Sequence, residues 1–328
     1  MPEVFGKSID VQGAELQKSA KMLRKELLKI PFYSLQKINP YVTYRRGVRL
    51  QETVGSLDGD MQFGPYDDTR EDSEELTIKE RTLFTYFGSV VKNFSPNKLF
   101  KTVYSPTIFH TDAMKDSDIV RQSLSFLAGK LGEHVYEVLF NAVRNADGTQ
   151  TKDLYNGWDT IAATEFKKTT GSEIAAANGN LVKIAAITAS NAYDVITTFL
   201  KAADEKLMDQ ELYLFVPKHV KYDYELDYKT TTGAVPYNNE FHKTVIEGFE
   251  NVTFVPLSCK KSSPFLQLTT KNNMLVGVDQ DSDIENIEIA RFKPFMLQFI
   301  ATMFFGVDYE SLLKERICFA TIDGTAAI

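Results

Sequence analysis

The most informative stretch of the chain is residues 76–94, which read LTIKERTLFTYFGSVVKNF. Leu83, Phe87 and Val90 keep the spacing of an amphipathic helix, so helix and strand both fit this stretch. Its many Thr, Phe, Tyr and Val residues favour a strand, because β-branched and aromatic side chains pack well on a pleated surface. We therefore predict a strand here.

A long helix is predicted beyond this strand, at residues 118–141. Ser117 or Asp118 can cap its N-terminus. At about 1.5 Å per residue, such a helix is a rod of roughly 36 Å. Its apolar residues recur every three or four positions, at Val120, Leu124, Leu127, Leu131, Val135 and Val138.

The second half of the chain alternates between strand and helix signals, which predicts an α+β fold. We expect residues 218–284 to form a second lobe inserted into the first. The predicted elements are a strand at 181–186, a helix at 191–207 capped by Asn191, strands at 212–217, 252–257, 265–270 and 274–278, and consecutive long strands within 287–319.

Charge is unevenly distributed along the chain, whose net charge is -7. Residues 1–50 hold ten basic and four acidic residues, a local balance of +6. Residues 58–80 hold nine acids against Arg70 and Lys79. Two interpretations of these charged segments stay open. They form two solvated faces of the subunit, or they attract each other between neighbouring copies. Such attraction steers association and register more than it adds affinity.

The N-terminal segment is predicted to form an amphipathic basic helix. Its apolar seam is narrow, so the helix would be marginal in water by itself and needs a partner surface. Pro31 ends it. The seam consists of Leu16, Ala20, Leu23, Leu27 and Ile30.

The pattern of residues 47–78 predicts that this segment forms an extended, hairpin-like projection. The pair Asp58-Gly59 is a turn signal, and the chain returns from Met61. This acidic segment has too little apolar content to bury itself, and long loops of this kind are usually functional or disordered. We expect it to become ordered on another subunit, through Val48, Leu50, Asp58, Gly59, Met61 and Phe63.

No signature of a common enzyme class occurs, whether a phosphate-binding P-loop, a GxGxxG turn, a GxSxG elbow or an HExxH helix. The four histidines lie at least 23 residues apart, which is not metal-ligand spacing. The acids from Asp279 to Glu285 alternate like a calcium loop, but Ile284 and Ala290 occupy positions that need glycine and a carboxylate. We predict a solvated acidic turn, no catalytic residue, no metal and no cofactor.

Three further features bear on compartment and packing. Cys259 and Cys318 lack a CxxC spacing and are predicted to be buried structural thiols in a reducing cytoplasm.

Trp158 follows a turn and is predicted to be a packing anchor. The chain shows neither a stretch of about eighteen apolar residues nor a signal pattern, so we expect no membrane association.

Several stretches, taken in order, resemble the major capsid proteins of tailed bacteriophages, whose Hong Kong 97-type fold is shared with encapsulin shells. Together they span most of the chain, and the combination is more specific than any one of them. They are LTIKERTLFTYF (76–87) leading to FSPNKL (94–99), the helix 118–141, YNGW (155–158), ELYLFVP (211–217), VTFVPL (252–257), NNMLVGVD (272–279) and FFGVD (304–308).

The resemblance implies a major capsid protein that self-assembles into pentamers and hexamers and forms an icosahedral head around double-stranded DNA. Its E-loop would lie across a neighbouring copy. The implied location is the virion, assembled in the host bacterial cytoplasm. The implied regions are an N-arm at 1–46, an E-loop at 47–78, a peripheral domain at 79–217 with the spine helix 118–141, an axial domain at 218–284, and returning peripheral strands at 285–328.

The implied partners are further copies of the chain, portal and scaffolding proteins, a decoration protein, and packaged DNA bound without sequence specificity. Arg24, Lys25, Arg45 and Arg46 would face the interior or a scaffold. Some relatives join subunits through an E-loop lysine, but residues 47–78 contain none. An encapsulin-type compartment is the alternative within the same fold, distinguished by a pocket for cargo peptides, and an α/β enzyme of unknown class is the second alternative.

Overall fold

The computed structural model describes residues 35–58, 66, 68, 77–94, 116–233, 245–246, 248–279, 287–293 and 296–322. Its helices are α1 Asp116–Val138, α2 Trp158–Phe166, α3 Ala192–Lys201, α4 Glu205–Met208 and α5 Lys218–Thr232. Its strands are β1 Thr43–Arg46, β2 Gln51–Asp58, β3 Thr77–Phe84, β4 Tyr86–Phe94, β5 Leu181–Ile184, β6 Leu212–Pro217, β7 Val245–Ile246, β8 Phe249–Leu257, β9 Phe265–Thr269, β10 Met274–Val278, β11 Ile287–Lys293, β12 Met296–Tyr309 and β13 Ile317–Ile322.

A six-stranded sheet in the order β5-β13-β9-β6-β8-β7 carries most of the core. Successive side chains of a strand point to opposite faces. Phe215 and Phe265 therefore pack with Trp158 of α2 on one face. On the other face, Leu214 and Leu268 pack beneath α3 and α5. Because both faces are covered, the strands of this sheet are apolar along nearly their whole length.

A second sheet has the order β1-β10-β12-β11, and β4 pairs with β12 along the opposite edge. The long strand β12 organises it, because its first residues pair with β11 and its last residues pair with β10. On its other side, β4 pairs with residues 297–305 of β12. Trp158, the first residue of α2, is fully buried, and its Nε1 donates to the Asp308 carbonyl of β12 at 3.0 Å. The predicted packing role of Trp158 is confirmed.

The stretch 76–94 is extended as predicted, but it forms two strands separated by Thr85. The first of them, β3, pairs antiparallel with β2 over its full length, from Gln51↔Phe84 to Asp58↔Thr77. The strand that pairs with β2 is therefore β3, and the predicted return at Met61 lies outside the described residues. A register set by a tight turn at Asp58-Gly59 would pair different residues. The hairpin also extends beyond the predicted limit at residue 78.

The long helix is confirmed with shifted bounds. It begins at Asp116 and ends at Val138, so Ser117 and Asp118 lie inside its first turn and do not cap it. Ala128, Val135 and Tyr136 are among its buried residues. The predicted helix 191–207 is interrupted after Lys201 and resumes as the short α4, whose N-cap Asp204 accepts a bond from the Lys206 amide at 3.0 Å.

Strand pairing crosses the predicted domain boundaries at 217/218 and 284/285. Strand β9 pairs with β6 on one side and with β13 on the other. Strand β10, from the same predicted lobe, belongs to the other sheet. Strand pairing thus ties the predicted lobe 218–284 to both sheets, and the division into domains stays a prediction. The predicted N-terminal helix lies outside the described residues.

Candidate assembly surfaces

The β2–β3 hairpin is fastened to the second sheet at its base. Leu83 is fully buried in a small cluster with Val48, Val54 and Leu275. The neighbouring Thr85 donates from its Oγ1 to the Val48 carbonyl at 3.0 Å and from its amide to the Leu50 carbonyl at 2.9 Å. Val48 is therefore buried within its own subunit, which leaves little of its side chain for the predicted contact to a neighbour.

Two glycines let the hairpin base approach the sheet closely. A Cβ at Gly306 would lie 1.9 Å from the carbonyl oxygen of Phe84, and one at Gly277 would lie 2.6 Å from Thr85 Cγ2. Gly277 and Gly306 face each other in neighbouring strands. Only a residue without a side chain fits beneath a crossing backbone at this distance.

A largely buried arginine links the hairpin to strand β12. Arg81 of β3 donates to Asp308 of β12 at 3.0 Å and also binds Glu173. Burial raises the pKa of Asp308 despite the arginine. Burial by itself would lower the pKa of Arg81, but the two carboxylates outweigh it and raise that pKa. Grooves of about 400 and 380 Å³ flank this arginine.

The turn that leads into the hairpin is conformationally unusual. Leu50 has a φ of 71°, in the left-handed region, and its side chain is 67 % exposed. Its neighbour Arg49 forms an ion pair with the buried carboxylate of Asp279. Asp279 is thus not part of a solvated turn, contrary to the prediction. The exposed Leu50 stays a predicted contact, as does Asp58 at the end of β2.

Strand β12 has one face that is covered at one end and open at the other. At Gly306 and Asp308 the hairpin base lies over it. Farther along, the same face carries Ile300 and Phe304 of β12 opposite Val91 and Phe87 of β4. Phe87 and Val91 are exposed, and the Phe87 and Phe304 rings lie 5.0 Å apart. We call these four residues the open face.

The predicted basic residues divide into two groups. Arg45 and Arg46 lie in β1, paired in parallel with β10, so the predicted N-arm ends inside a sheet. Arg45 is partly exposed and lies 3.8 Å from Glu310, and Arg46 is exposed. Arg24 and Lys25 lie outside the described residues, as do Gly59, Met61 and Phe63 of the predicted loop contacts.

Reactive and metal-binding groups are sparse in the described part of the chain. Cys259 and Cys318 are free and buried, as predicted, and burial raises the pKa of each thiol to about 12. His134 and His219 are exposed. Within the described ranges, no group of three or more His, Cys, Asp or Glu residues could hold a metal ion. No helix there is long and apolar enough to cross a membrane.

A buried ion pair was not predicted from sequence. Lys260 follows β8 and Asp159 begins α2, and their side chains meet at 3.0 Å in the core. Nothing in the local patterns around 159 or 260 indicates this contact, because it joins positions 101 residues apart. Only the packing of α2 against the six-stranded sheet brings the two groups together.

Comparison with known proteins gives a consistent fold. No family model and no curated protein sequence matches the chain. A chain of the satellite phage P4 procapsid with its size determination protein superposes with a TM-score of 0.52 at 10% identity, covering 91% of this chain and 98% of that one. The capsid of Myoviridae phage XM1 gives 0.52 at 12% identity, with coverages of 87% and 90%.

A third solved structure, the capsid of a native GTA particle, gives a TM-score of 0.51 at 12% identity, covering 87% of this chain and 96% of that one. In all three comparisons the alignment covers most of both chains. The chain has the α+β fold of phage capsid proteins, as the resemblance in its sequence implied.

Proposed function

We propose that this chain is a major capsid protein, which assembles into pentamers and hexamers and forms the icosahedral head of a tailed phage around double-stranded DNA. The observation that carries the proposal is the combination of a firmly based hairpin with an open apolar face on the same sheet. A hairpin of two strands is marginally stable in water alone. A base locked by Arg81, Gly277 and Gly306 lets it project while the subunit stays folded.

The open face supports contacts between copies. Exposed apolar patches of this kind commonly mark surfaces that another protein covers. Among the described residues, one subunit's own hairpin covers only the Gly306 end of the face. The projecting part of a neighbour's hairpin would cover the remainder, with Asp58 near this contact. Leu50, at the hairpin base, would make a separate contact. In a closed ring each such contact is repeated, so a modest contact suffices.

The charge distribution supports further partners. The basic segment before residue 50 carries a local balance of +6 and would lie on the interior side, where it meets DNA or a scaffold. Portal and scaffolding proteins and a decoration protein are the partners expected of such a shell. The virion is then the site of function, and the host bacterial cytoplasm the site of assembly.

The first experiment is negative-stain electron microscopy of the protein expressed alone and with its neighbouring genes. Closed shells or rings with five- and six-fold symmetry support the proposal. A monomer under every condition, or enzymatic turnover by a monomer, contradicts it. Shells that enclose a cargo enzyme and no DNA would identify an encapsulin-type compartment.

A matched pair of substitutions tests the open face. Val91 is 55% exposed and Val143, outside the open face, is 50% exposed. We expect Val91→Asp to reduce the yield of shells at least tenfold, because a carboxylate there would be buried under a neighbour. Val143→Asp should leave the yield within about twofold, since exposed substitutions have small effects. Equal shell yields for both variants, with both monomers folded by circular dichroism, would show that the open face is not part of the interface.

A further inference from the structure

The Lys260–Asp159 pair lies in an unusually dry place. Both side chains are 0% exposed, and Lys260 Nζ lies 3.0 Å from Asp159 Oδ1. The same Nζ lies 4.2 Å from the centre of the Phe140 ring. Gln267 Nε2 donates to Asp159 Oδ1 at 2.6 Å. Aromatic and aliphatic core residues enclose the pair, and its polar neighbours are the Gln267 amide and the Ser263 hydroxyl.

Burial works against the charged forms of both groups. It lowers the pKa of Lys260 and raises the pKa of Asp159, and each partner's charge only partly opposes the effect. Taking two ions out of water is costly unless hydrogen bonds satisfy them fully. Transfer of one proton from the ammonium to the carboxylate gives a neutral amine beside a neutral acid, which the low-dielectric surroundings favour.

The carboxyl group is only half satisfied. Its Oδ1 accepts bonds from Lys260 and Gln267, whereas its Oδ2 is buried and has no hydrogen-bond partner. Ser263, on the nearby loop, already donates its hydroxyl to the Phe265 carbonyl at 2.8 Å. A buried oxygen without a partner costs free energy. The two oxygens therefore differ: Oδ1 accepts two hydrogen bonds, whereas Oδ2 accepts none.

We propose that Lys260 and Asp159 condense to an intramolecular isopeptide bond. The neutral amine attacks Cγ of the protonated carboxyl group, so the Nζ–Cγ bond forms and the Cγ–Oδ2 bond breaks. One amine proton moves to Oδ2, which departs with the acid proton as one molecule of water. No group is oxidised or reduced, and no further reactant is consumed.

The neighbouring residues have definite roles in this step. Gln267 is a positioning residue whose Nε2 stays on Oδ1 and stabilises the negative charge that gathers there as the tetrahedral intermediate forms. Phe140 and Trp158 exclude bulk water, which opposes hydrolysis of the product. The product has no buried charge and no unpartnered Oδ2, so condensation removes both unfavourable features of the pair.

A second lysine–carboxylate pair in the same molecule provides the contrast. Lys168 Nζ lies 2.7 Å from Glu165 Oε1, closer than the buried pair, but this lysine side chain is 47% exposed. An amine that is open to water lacks the dry surroundings that favour a neutral nucleophile. Proximity alone therefore does not lead to condensation, and the dry surroundings of Lys260 make the difference.

Intact-mass spectrometry of the denatured full-length protein tests the proposal. We expect a mass lower than the sequence mass by one water, and after trypsin a branched peptide joining residues 153–167 to residues 244–261. Lys260→Met should restore the full sequence mass, and Lys168→Met should keep the loss. The full sequence mass for the unsubstituted protein, with separate peptides ending at Lys167 and Lys260, overturns the proposal. Retention of the loss in Lys260→Met also overturns it, because the water would then come from another site.

Discussion

The two ends of strand β12 differ in how they are covered. Residues 305–309 are buried on both faces, by the core on one side and by the hairpin base on the other. Residues 296–301 alternate between partly exposed and buried side chains, and residues 302–304 are all partly exposed. The covered end serves the stability of the subunit, and the open end is the surface that we propose a partner covers. On this proposal a single strand combines a folding role with an assembly role.

The largest expected effect separates these roles at two adjacent phenylalanines. Phe305 is buried against Tyr155, with ring centres 4.9 Å apart, whereas Phe304 lies on the open face. Phe305→Ala should lower the free energy of unfolding by about 3–5 kcal/mol through the cavity it leaves. Phe304→Ala should lower it by about 1 kcal/mol or less. Urea unfolding, followed by the fluorescence of the single Trp158, measures the free energy of unfolding of both variants. An equal decrease in the two variants would contradict the difference between the two ends of β12.

A smaller effect is expected where the hairpin crosses the strand. Gly306→Ala places a Cβ against the Phe84 carbonyl oxygen, whose backbone cannot yield cheaply. Overpacking of this kind typically costs about 1–3 kcal/mol. Gly88→Ala is the matched control in the same sheet, because its Cβ meets only the flexible Leu154 side chain at 2.9 Å. Urea unfolding should show that Gly306→Ala is clearly less stable than Gly88→Ala. The reverse order would show that the close approach at Gly306 does not anchor the hairpin.

The smallest effect concerns the turn before the hairpin. Leu50→Gly should relieve the left-handed strain, worth about 1–2 kcal/mol, but it also increases the freedom of the unfolded chain. We therefore expect a net gain of about 0.5 kcal/mol in the free energy of unfolding. Leu50→Ala removes the side chain and keeps the strain, so it should bring no gain. A gain in both variants, measured by thermal unfolding, would show that exposure of the leucine matters more than its backbone.

Sequence patterns located most of the core elements. The strands 212–217 and 274–278 were predicted within one residue, because short apolar runs bounded by turn residues have few alternative interpretations. The helix 218–232 was missed, since tyrosine, lysine and threonine dominate it. Its buried face relies on Tyr224, which packs against Phe254, and on Asp227, which accepts a bond from the Tyr193 amide at the start of α3. Such contacts give no simple apolar period.

The candidate surfaces were predictable only in part. The projecting hairpin and its exposed Leu50 follow from composition and turn signals, because a segment with so little apolar content cannot bury itself. The identity of its returning strand did not follow. Pairing register depends on what the hairpin packs against, here Leu275 and Gly277, which lie far along the chain. For the same reason the sequence pattern did not show that Val48 is buried within its own subunit.

The sequence by itself determined the α+β class, the long helix, the buried thiols, the basic and acidic segments and the resemblance to capsid proteins, because each depends on residue types and local spacing. The tertiary structure alone decided which end of β12 is covered and which is open, how Arg81 meets Asp308, and that Lys260 meets Asp159 in the core. These features join residues more than a hundred positions apart. Local periodicity reports which face of an element is apolar, but it carries no information about which distant element covers that face.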